Sequence, residues 1–393
     1  MNPAVLHTEV QEFINSHLET DISRILLKKS PFGDISAKEL AQQIESKRNA
    51  EKKLPTWYST PGIYFPPKIS IEQGSSELTA AYKSELIKGR KLIDLTGGLG
   101  VDSFYFSKKA AEVIHCELNK ELSAIAAHNA EILKAGNIRF INDNGLSFLE
   151  NTAEKFDTIY IDPSRRVQSR KVFLLSDCEP DITDKLDFLF EKAERIIIKA
   201  SPILDIQSGL RELKNVSQVH VVSVKNDCKE VLFVMDKSFS GEAEIHCALI
   251  NGGKVSKFQF RFSEERSTEL SSYSQPGNFL YEPDAALLKA GCFKLPALKF
   301  GLKKIHPNTH LYTSEVFSEN FPGKVFAILS SGTYKDFMKN NRLSKANISC
   351  RNFPLSPDEI KKRHKIQDGG NNYLIFLTGP EGELFCVSGI RWI

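Results

Sequence analysis

An α/β fold is predicted, on three observations. Between about residues 70 and 236, strand-length apolar runs alternate with helix-length segments, the pattern of a parallel sheet with right-handed crossovers. The first run leads straight into a glycine-rich turn, Asp94-Leu95-Thr96-Gly97-Gly98-Leu99-Gly100. The last two runs are separated only by residues 225–230, too short for a crossover helix, so they should pair antiparallel. The expected architecture is five parallel strands plus an antiparallel hairpin, with an N-terminal helical segment and small α+β modules at the C-terminus.

The elements follow in order. Residues 1–68 read as helical. Val5, Val10, Phe13, Ile14 and Leu18 recur at helical spacing, and Ser36 with Glu39 three residues on forms a capping box for a helix to Lys53. Pro55, Pro61, Gly62, Pro66 and Pro67 then mark an extended connection. Residues 69–240 carry the strand candidates Lys91–Thr96, Glu112–Glu117, Ile138–Ile141, Thr158–Asp162, Arg195–Ala200, Gln218–Val224 and Val231–Met235, with helices expected over Asn119–Ala135 and Asp184–Ala193. Residues 241–319 read as a connecting α+β element, with strands at Ala243–Leu249 and Lys257–Phe262 about an Asn251-Gly252-Gly253 turn and a helix over Pro283–Ala290. Residues 320–393 form a last domain with strands Val325–Leu329, Lys345–Asn352 and Tyr373–Leu377, helices Thr333–Asn340 and Pro357–His364, and a hairpin near Gly379–Gly382.

Composition narrows the function. With 41% hydrophobic and 26% charged residues, the 393-residue chain is globular. No apolar run approaches the roughly 18 residues of a membrane span, and Met1–Phe13 lacks the basic-then-apolar pattern of a secretory leader. Seven cysteines are scattered without metal spacing, so neither structural metal nor a disulfide framework is expected, and a reducing cytoplasm fits. Ala285–Ile393 holds 16 Lys+Arg against 8 Asp+Glu, net +8, while the rest sums to about −5. That basic third suggests an anionic partner, RNA foremost. Lys303, Lys304, Lys361, Lys362, Arg363 and Lys365, interleaved with Tyr312, Phe353 and Tyr373, would suit it. Oligomeric state is not legible.

The glycine turn carries the chemistry. Glycines let backbone amides approach a ligand closely. Reading from Gly98, the third glycine of a dinucleotide fingerprint is missing, and the acid Asp94 at the strand end would repel a pyrophosphate. A ligand bearing a sulfonium and an ammonium, S-adenosylmethionine, makes a carboxylate there favourable. Glu117, ending the second strand, can accept from both ribose hydroxyls, and Asp143, after the third, from the adenine amine. Either could instead cap the helix that follows.

Asp94 through Gly100, Glu117, Asp143 and Ile161-Asp162-Pro163 resemble the ordered motifs of class I S-adenosylmethionine-dependent methyltransferases. FPPKISIEQGSSELTAAYK, IDPSRR, KASP, VKNDCKEVLF, LYEPDAALLKAG, HPNTHLYTS and NISCRNFPLSPDEIKKR extend the resemblance to a bacterial family with a THUMP-like C-terminal domain. It implies a Rossmann-like class I methyltransferase core followed by ferredoxin-like and THUMP-like modules. It also implies S-adenosyl-L-methionine as cofactor, held by Asp94, Thr96, Gly97, Gly98, Gly100, Glu117 and Asp143.

Asp162-Pro163-Ser164-Arg165-Arg166 stands where related amino methyltransferases carry N/D-P-P-aromatic, whose side-chain oxygen and backbone carbonyl orient an exocyclic amine. Here Ser164 replaces the second proline and Arg165 the stacking aromatic. Asp162, Pro163, Arg165 and Arg166 are the catalytic candidates, and a guanidinium can stack on a base or bind phosphate. No cysteine lies in Asp162–Arg170 or Lys199–Pro202, against a cysteine-nucleophile route to pyrimidine carbon-5. Lys199 could reach the site or simply solvent, and Gln73, Ser75 and Ser76 could cover the pocket or cap a helix. Methyl transfer to a nucleobase nitrogen of tRNA or rRNA is the expected function. The competing readings are a protein or small-molecule methyltransferase and a non-catalytic RNA-binding protein with a degenerate cofactor fold.

Overall fold

The computed structural model describes residues 1–165, 174–341 and 343–392, Arg165 as backbone only. The chain folds into two compact units, each discontinuous: Met1–Gln218 with Val231–Gly241, and Val219–Glu230 with Glu242–Ile393.

The first unit begins with a 3-10 turn, Pro3–Leu6, and helix α1, Thr8–Ser16. The single helix expected from Val5 is broken there. Asn2 caps the turn by accepting from Ala4 N, and His7 is extended (φ −61°, ψ 142°), so a new helix starts behind it. Helix α2, Ala37–Lys53, has the capping box read from Ser36 and Glu39. Leu40, Ile44 and Trp57 share one hydrophobic cluster with Phe104 and Ile125, and the Trp57 and Phe104 rings meet edge-to-face at 4.9 Å.

Helix α3 (Glu77–Ser84) precedes the sheet. Its strands are β1 (Lys91–Asp94), β2 (Glu112–Cys116), β3 (Ile138–Ile141), β4 (Phe156–Ile161) and β5 (Ala193–Ala200), followed by β6 (Val216–Val224) and β7 (Asp227–Asp236). β1 pairs with β2 and β4, β2 with β3, and β4 with β5, all parallel. β7 pairs antiparallel with β5, and the order is β6-β7-β5-β4-β1-β2-β3. Ile93, Val113, Ile159 and Ile196 to Ile198 have no exposed surface, as strands covered on both faces require. Helices α4 (Val101–Ser107), α5 (Lys120–Ile132), α6 (Gly145–Asn151) and α7 (Leu186–Lys192) follow the strands. β6 turns into β7 at Lys225 and Asn226, both at positive φ.

In the second unit β8 (Glu244–Asn251) and β9 (Lys254–Phe260) form an antiparallel hairpin. The expected strand to Phe262 stops at Phe260, where Arg261 N donates back to Glu264 Oε2 at 3.0 Å and opens helix α8 (Phe262–Ser267). Within α8, Glu265 is buried and accepts the backbone N–H groups of Phe293, Lys294 and Leu295. The C-terminal sheet holds β10 (Phe279–Pro283), β11 (Lys303–Lys304), β12 (Tyr312–Ser314), β13 (Gly323–Thr333), β14 (Asn347–Arg351), β15 (Asn372–Thr378) and β16 (Leu384–Arg391). Its order is β11-β12-β10-β13-β16-β15-β14, with only the β14–β15 pair parallel. Helix α9, Pro357–His364, has a second serine capping box, Ser356 with Glu359.

Candidate active site

Parallel β1, β2 and β4 end at one edge of the sheet, so the loops after them converge there. They line a cavity of about 750 Å³ whose walls include Thr96, Gly98, Glu117, Asn144, Asp162 and Glu179. Gln73, from the segment before α3, also lines it.

The glycine loop is built around a buried imidazole. A Cβ on Gly97 would stand 2.1 Å from Cε1 of His115, so only glycine lets the loop lie on that ring. Gly98 (φ 55°) and Gly100 (φ 82°) take left-handed conformations. Burial pushes His115 down to about 3, so the ring is neutral at pH 7 and stacks no positive charge beneath the loop. Its Nδ1 lies 3.1 Å from Ser103 Oγ, and Ser103 donates to Asp94 Oδ2 at 2.6 Å.

Asp94 is only 1% exposed. Its other oxygen accepts from Thr96 N at 3.1 Å. Burial, with Ser103 and Thr96 opposing and Asp102 and Asp162 adding, raises it to about 7. It thus braces the loop from beneath and is not part of the cavity wall. Glu117 is in the wall: its carboxylate accepts from Gly98 N at 2.9 Å and Asn119 N at 2.7 Å. Asp143 is exposed and accepts from Asn144 N at 2.7 Å; Asn144, beside it, lines the cavity and caps α6.

Across the cavity stands Asp162. Its N–H donates to Thr96 Oγ1 at 2.7 Å, tying the end of β4 to the glycine loop. Lys199, from β5, donates to its Oδ2 at 2.5 Å, which is the position that sequence reasoning left open between site and solvent. Pro163 and Ser164 follow, and Ser164 and Arg165 pair with Cys178 and Glu179. Arg166 lies outside the described residues.

A buried ion pair behind the site escaped the sequence reading. Lys83 has no exposed surface and lies 3.2 Å from Asp102 Oδ1. Ser75 and Tyr160 both donate to Asp102 Oδ2, at 2.7 and 3.0 Å. Burial opposes the Asp102 charge, but Lys83 and Lys199 with these hydrogen bonds outweigh it and hold the carboxyl below its ordinary range. Ser75 is therefore internal, and Ser76 caps α3. The sequence signal was the SSELTAAYK run itself, whose lysine falls on the apolar face of a helix.

In the second unit, two members of the basic–aromatic grouping prove internal. Lys304 is 3% exposed, donates to Pro307 O at 2.5 Å, and is pushed down to about 8 by burial. Tyr312 has no exposed surface and donates to Phe293 O at 2.9 Å. Their place on paired strands β11 and β12 points them inward. No group of metal-ligating side chains occurs among the described residues, and no described helix is long and apolar enough to cross a membrane.

Comparison with known proteins adds three matched families: "conserved hypothetical protein 95" over residues 77–177, a ferredoxin-like domain over 279–322 and a THUMP-like domain over 323–387. The solved structure of a candidate methyltransferase from Porphyromonas gingivalis W83 is similar with a TM-score of 0.89 and 33% identity, covering 99% of this chain and 98% of that one. An uncharacterised S-adenosylmethionine-dependent methyltransferase of Mycobacterium tuberculosis is 19% identical over 311 residues, 76% of this chain and 80% of its own length. An uncharacterised RNA methyltransferase of Mycoplasma mobile is 28% identical over 166 residues, 38% of this chain and 45% of its own.

Proposed function

This chain belongs to the class I S-adenosylmethionine-dependent methyltransferases that carry ferredoxin-like and THUMP-like domains behind the catalytic core, and we propose that it transfers a methyl group to a nucleobase nitrogen of RNA. The residues present fit the cofactor. The loop at Gly97 is cleared of side chain against a neutral imidazole, and Glu117 puts a carboxylate into the same cavity wall. When bound, S-adenosylmethionine supplies an electrophilic methyl group. We assign Thr96, Gly97, Gly98 and Gly100 to shaping its cradle, Glu117 to accepting from its hydroxyls, Asp143 to its adenine edge and Asp94 to holding the loop.

The observation that carries the reading is that Asp162 and Glu117 line one cavity while Thr96 ties the two loops together. Lys199 occupies Oδ2 of Asp162 and leaves Oδ1 to accept from an acceptor amine, with the Pro163 carbonyl as a second acceptor. Such a site works by positioning and fixed charge. Arg165 and Arg166, three and four residues on from Asp162 in the sequence, are the proposed substrate contacts. The RNA assignment is supported by the Mycoplasma mobile relative, the THUMP-like match and the basic C-terminal third.

The test is calorimetry with S-adenosylhomocysteine, followed by transfer of labelled methyl groups to RNA and protein fractions from cells lacking the gene. Glu117→Gln should weaken S-adenosylhomocysteine about tenfold or more. Asp162→Ala should keep that affinity yet lower RNA methylation by about 100-fold or more. Label that enters protein and never RNA would overturn the substrate assignment.

A further inference from the structure

The N-terminal helices line a second, solvent-open cavity of about 360 Å³, with Thr8, Asn15, Lys47, Tyr58, Ser59 and Gly62 among its walls. Lys47 is its notable wall. The residue is 7% exposed, yet no carboxylate among the described residues pairs with it. Its Nζ donates to Asn15 Oδ1 at 2.7 Å and lies 5.6 Å from the Tyr58 ring and 5.8 Å from the Phe65 ring. A lysine ammonium carries three donors, so two protons remain. Thr8 and Asn15, both exposed and on the same face of α1, add a hydroxyl and an amide nitrogen that can reach a bound anion. Adjacent Arg48 spends its guanidinium on Leu18 O and Thr20 O, which adds positive charge nearby and no negative charge.

Burying a cation without a counter-ion is costly, and no anionic side chain lines this cavity. We propose that it is an anion-binding site for a phosphoryl group, with Lys47, Asn15 and Thr8 as its donors. Donors reach it from α1 and α2, two separate elements, which suits a tetrahedral anion with oxygens on several sides better than a planar carboxylate. A lysine meets phosphate as a point charge. The phosphoryl group can come from a free nucleotide or from a polynucleotide backbone; the second source rests on the RNA reading above.

The full chain is titrated with inorganic phosphate and with AMP at fixed ionic strength, following the melting temperature. Both should raise it saturably. Lys47→Met, which keeps the side-chain volume, should weaken both about tenfold or more while leaving S-adenosylhomocysteine affinity unchanged. Asn15→Asp should place a carboxylate against Nζ and shut the anion out without disturbing the fold. If neither probe binds a protein that still binds S-adenosylhomocysteine, or if both variants bind phosphate as the parent does, the site is refuted. RNA affinity distinguishes the sources. A loss in Lys47→Met, with a salt slope shallower by about one, identifies the backbone; unchanged RNA affinity with lost AMP binding identifies a free nucleotide. RNA methylation by the parent tests the substrate reading separately.

Discussion

Substituting Gly97 by alanine tests how the cofactor loop is built. The new Cβ would meet three atoms of the His115 ring at 2.1, 2.3 and 2.5 Å. Restoring a tolerable contact requires the ring to retreat by nearly an ångström. His115 has no exposed surface, lies against Phe140 at 4.9 Å between ring centroids, and shares a 3.1 Å contact with Ser103. Overpacking of this kind costs about 1–3 kcal/mol, and loss of the Ser103 contact adds about 1 kcal/mol, for about 2–4 kcal/mol in all. The assay is urea unfolding followed by Trp57 fluorescence in a Trp392→Phe background, which reports the first unit alone, with a parallel S-adenosylhomocysteine titration. Gly97→Ala should lose both stability and affinity, and His115→Ala added to it should recover much of each. A Gly97→Ala protein equal to its parent, or a double variant worse than the sum of the singles, would refute the steric account.

Three further outcomes follow from the same geometry. Lys83→Met leaves Asp102 charged and buried and should destabilise the first unit by about 3–5 kcal/mol; adding Asp102→Asn should restore part of that, and strict additivity in a double-mutant cycle would count against a coupled pair. Asp94 is raised to about 7 from 3.8, so the folded state holds its proton more tightly. Its contribution is complete below about pH 4 and is lost as pH rises through about 7. Relative to Asp94→Asn, the parent should therefore lose stability from pH 4 to 7, and parallel pH profiles would contradict the burial argument. Glu265→Ala strips the acceptor from three backbone N–H groups and should cost the second unit about 2–4 kcal/mol, read from Trp392 in a Trp57→Phe background; a change below about 0.5 kcal/mol would show that water replaces it.

The sheet was legible because parallel central strands are buried on both faces and read as apolar runs, as in Ile159–Ile161 and Ile196–Ile198. The glycine loop was legible because its residues are contiguous and its backbone requires glycine, at positive φ for Gly98 and Gly100. What stayed hidden depends on side chains meeting across the fold. Nothing in the sequence joins Lys83 to Asp102, or sets His115 beneath Gly97, since each pair forms only when two elements pack. Lys304 and Tyr312 misled for a related reason. A lysine or tyrosine on a short strand has either face available, and composition cannot say which one the sheet covers. The break at His7 turned on one asparagine cap, which outweighed a continuous apolar period.

The tip of the β6–β7 hairpin, Val219–Glu230, counts with the second unit while the strand that leaves it returns to the first. There it is stitched in: Ser223 donates to Asp284 Oδ1 at 2.5 Å, and Ala285 N donates to Asn226 Oδ1 at 3.0 Å. Two complete modules cannot therefore be obtained by a single cut in the gene. Truncation before Asp284 would strip these partners from the hairpin tip, and a graft of residues 242–393 onto another enzyme would arrive without the tip that belongs to it. Recombination that respects this chain must move the hairpin together with whatever follows it.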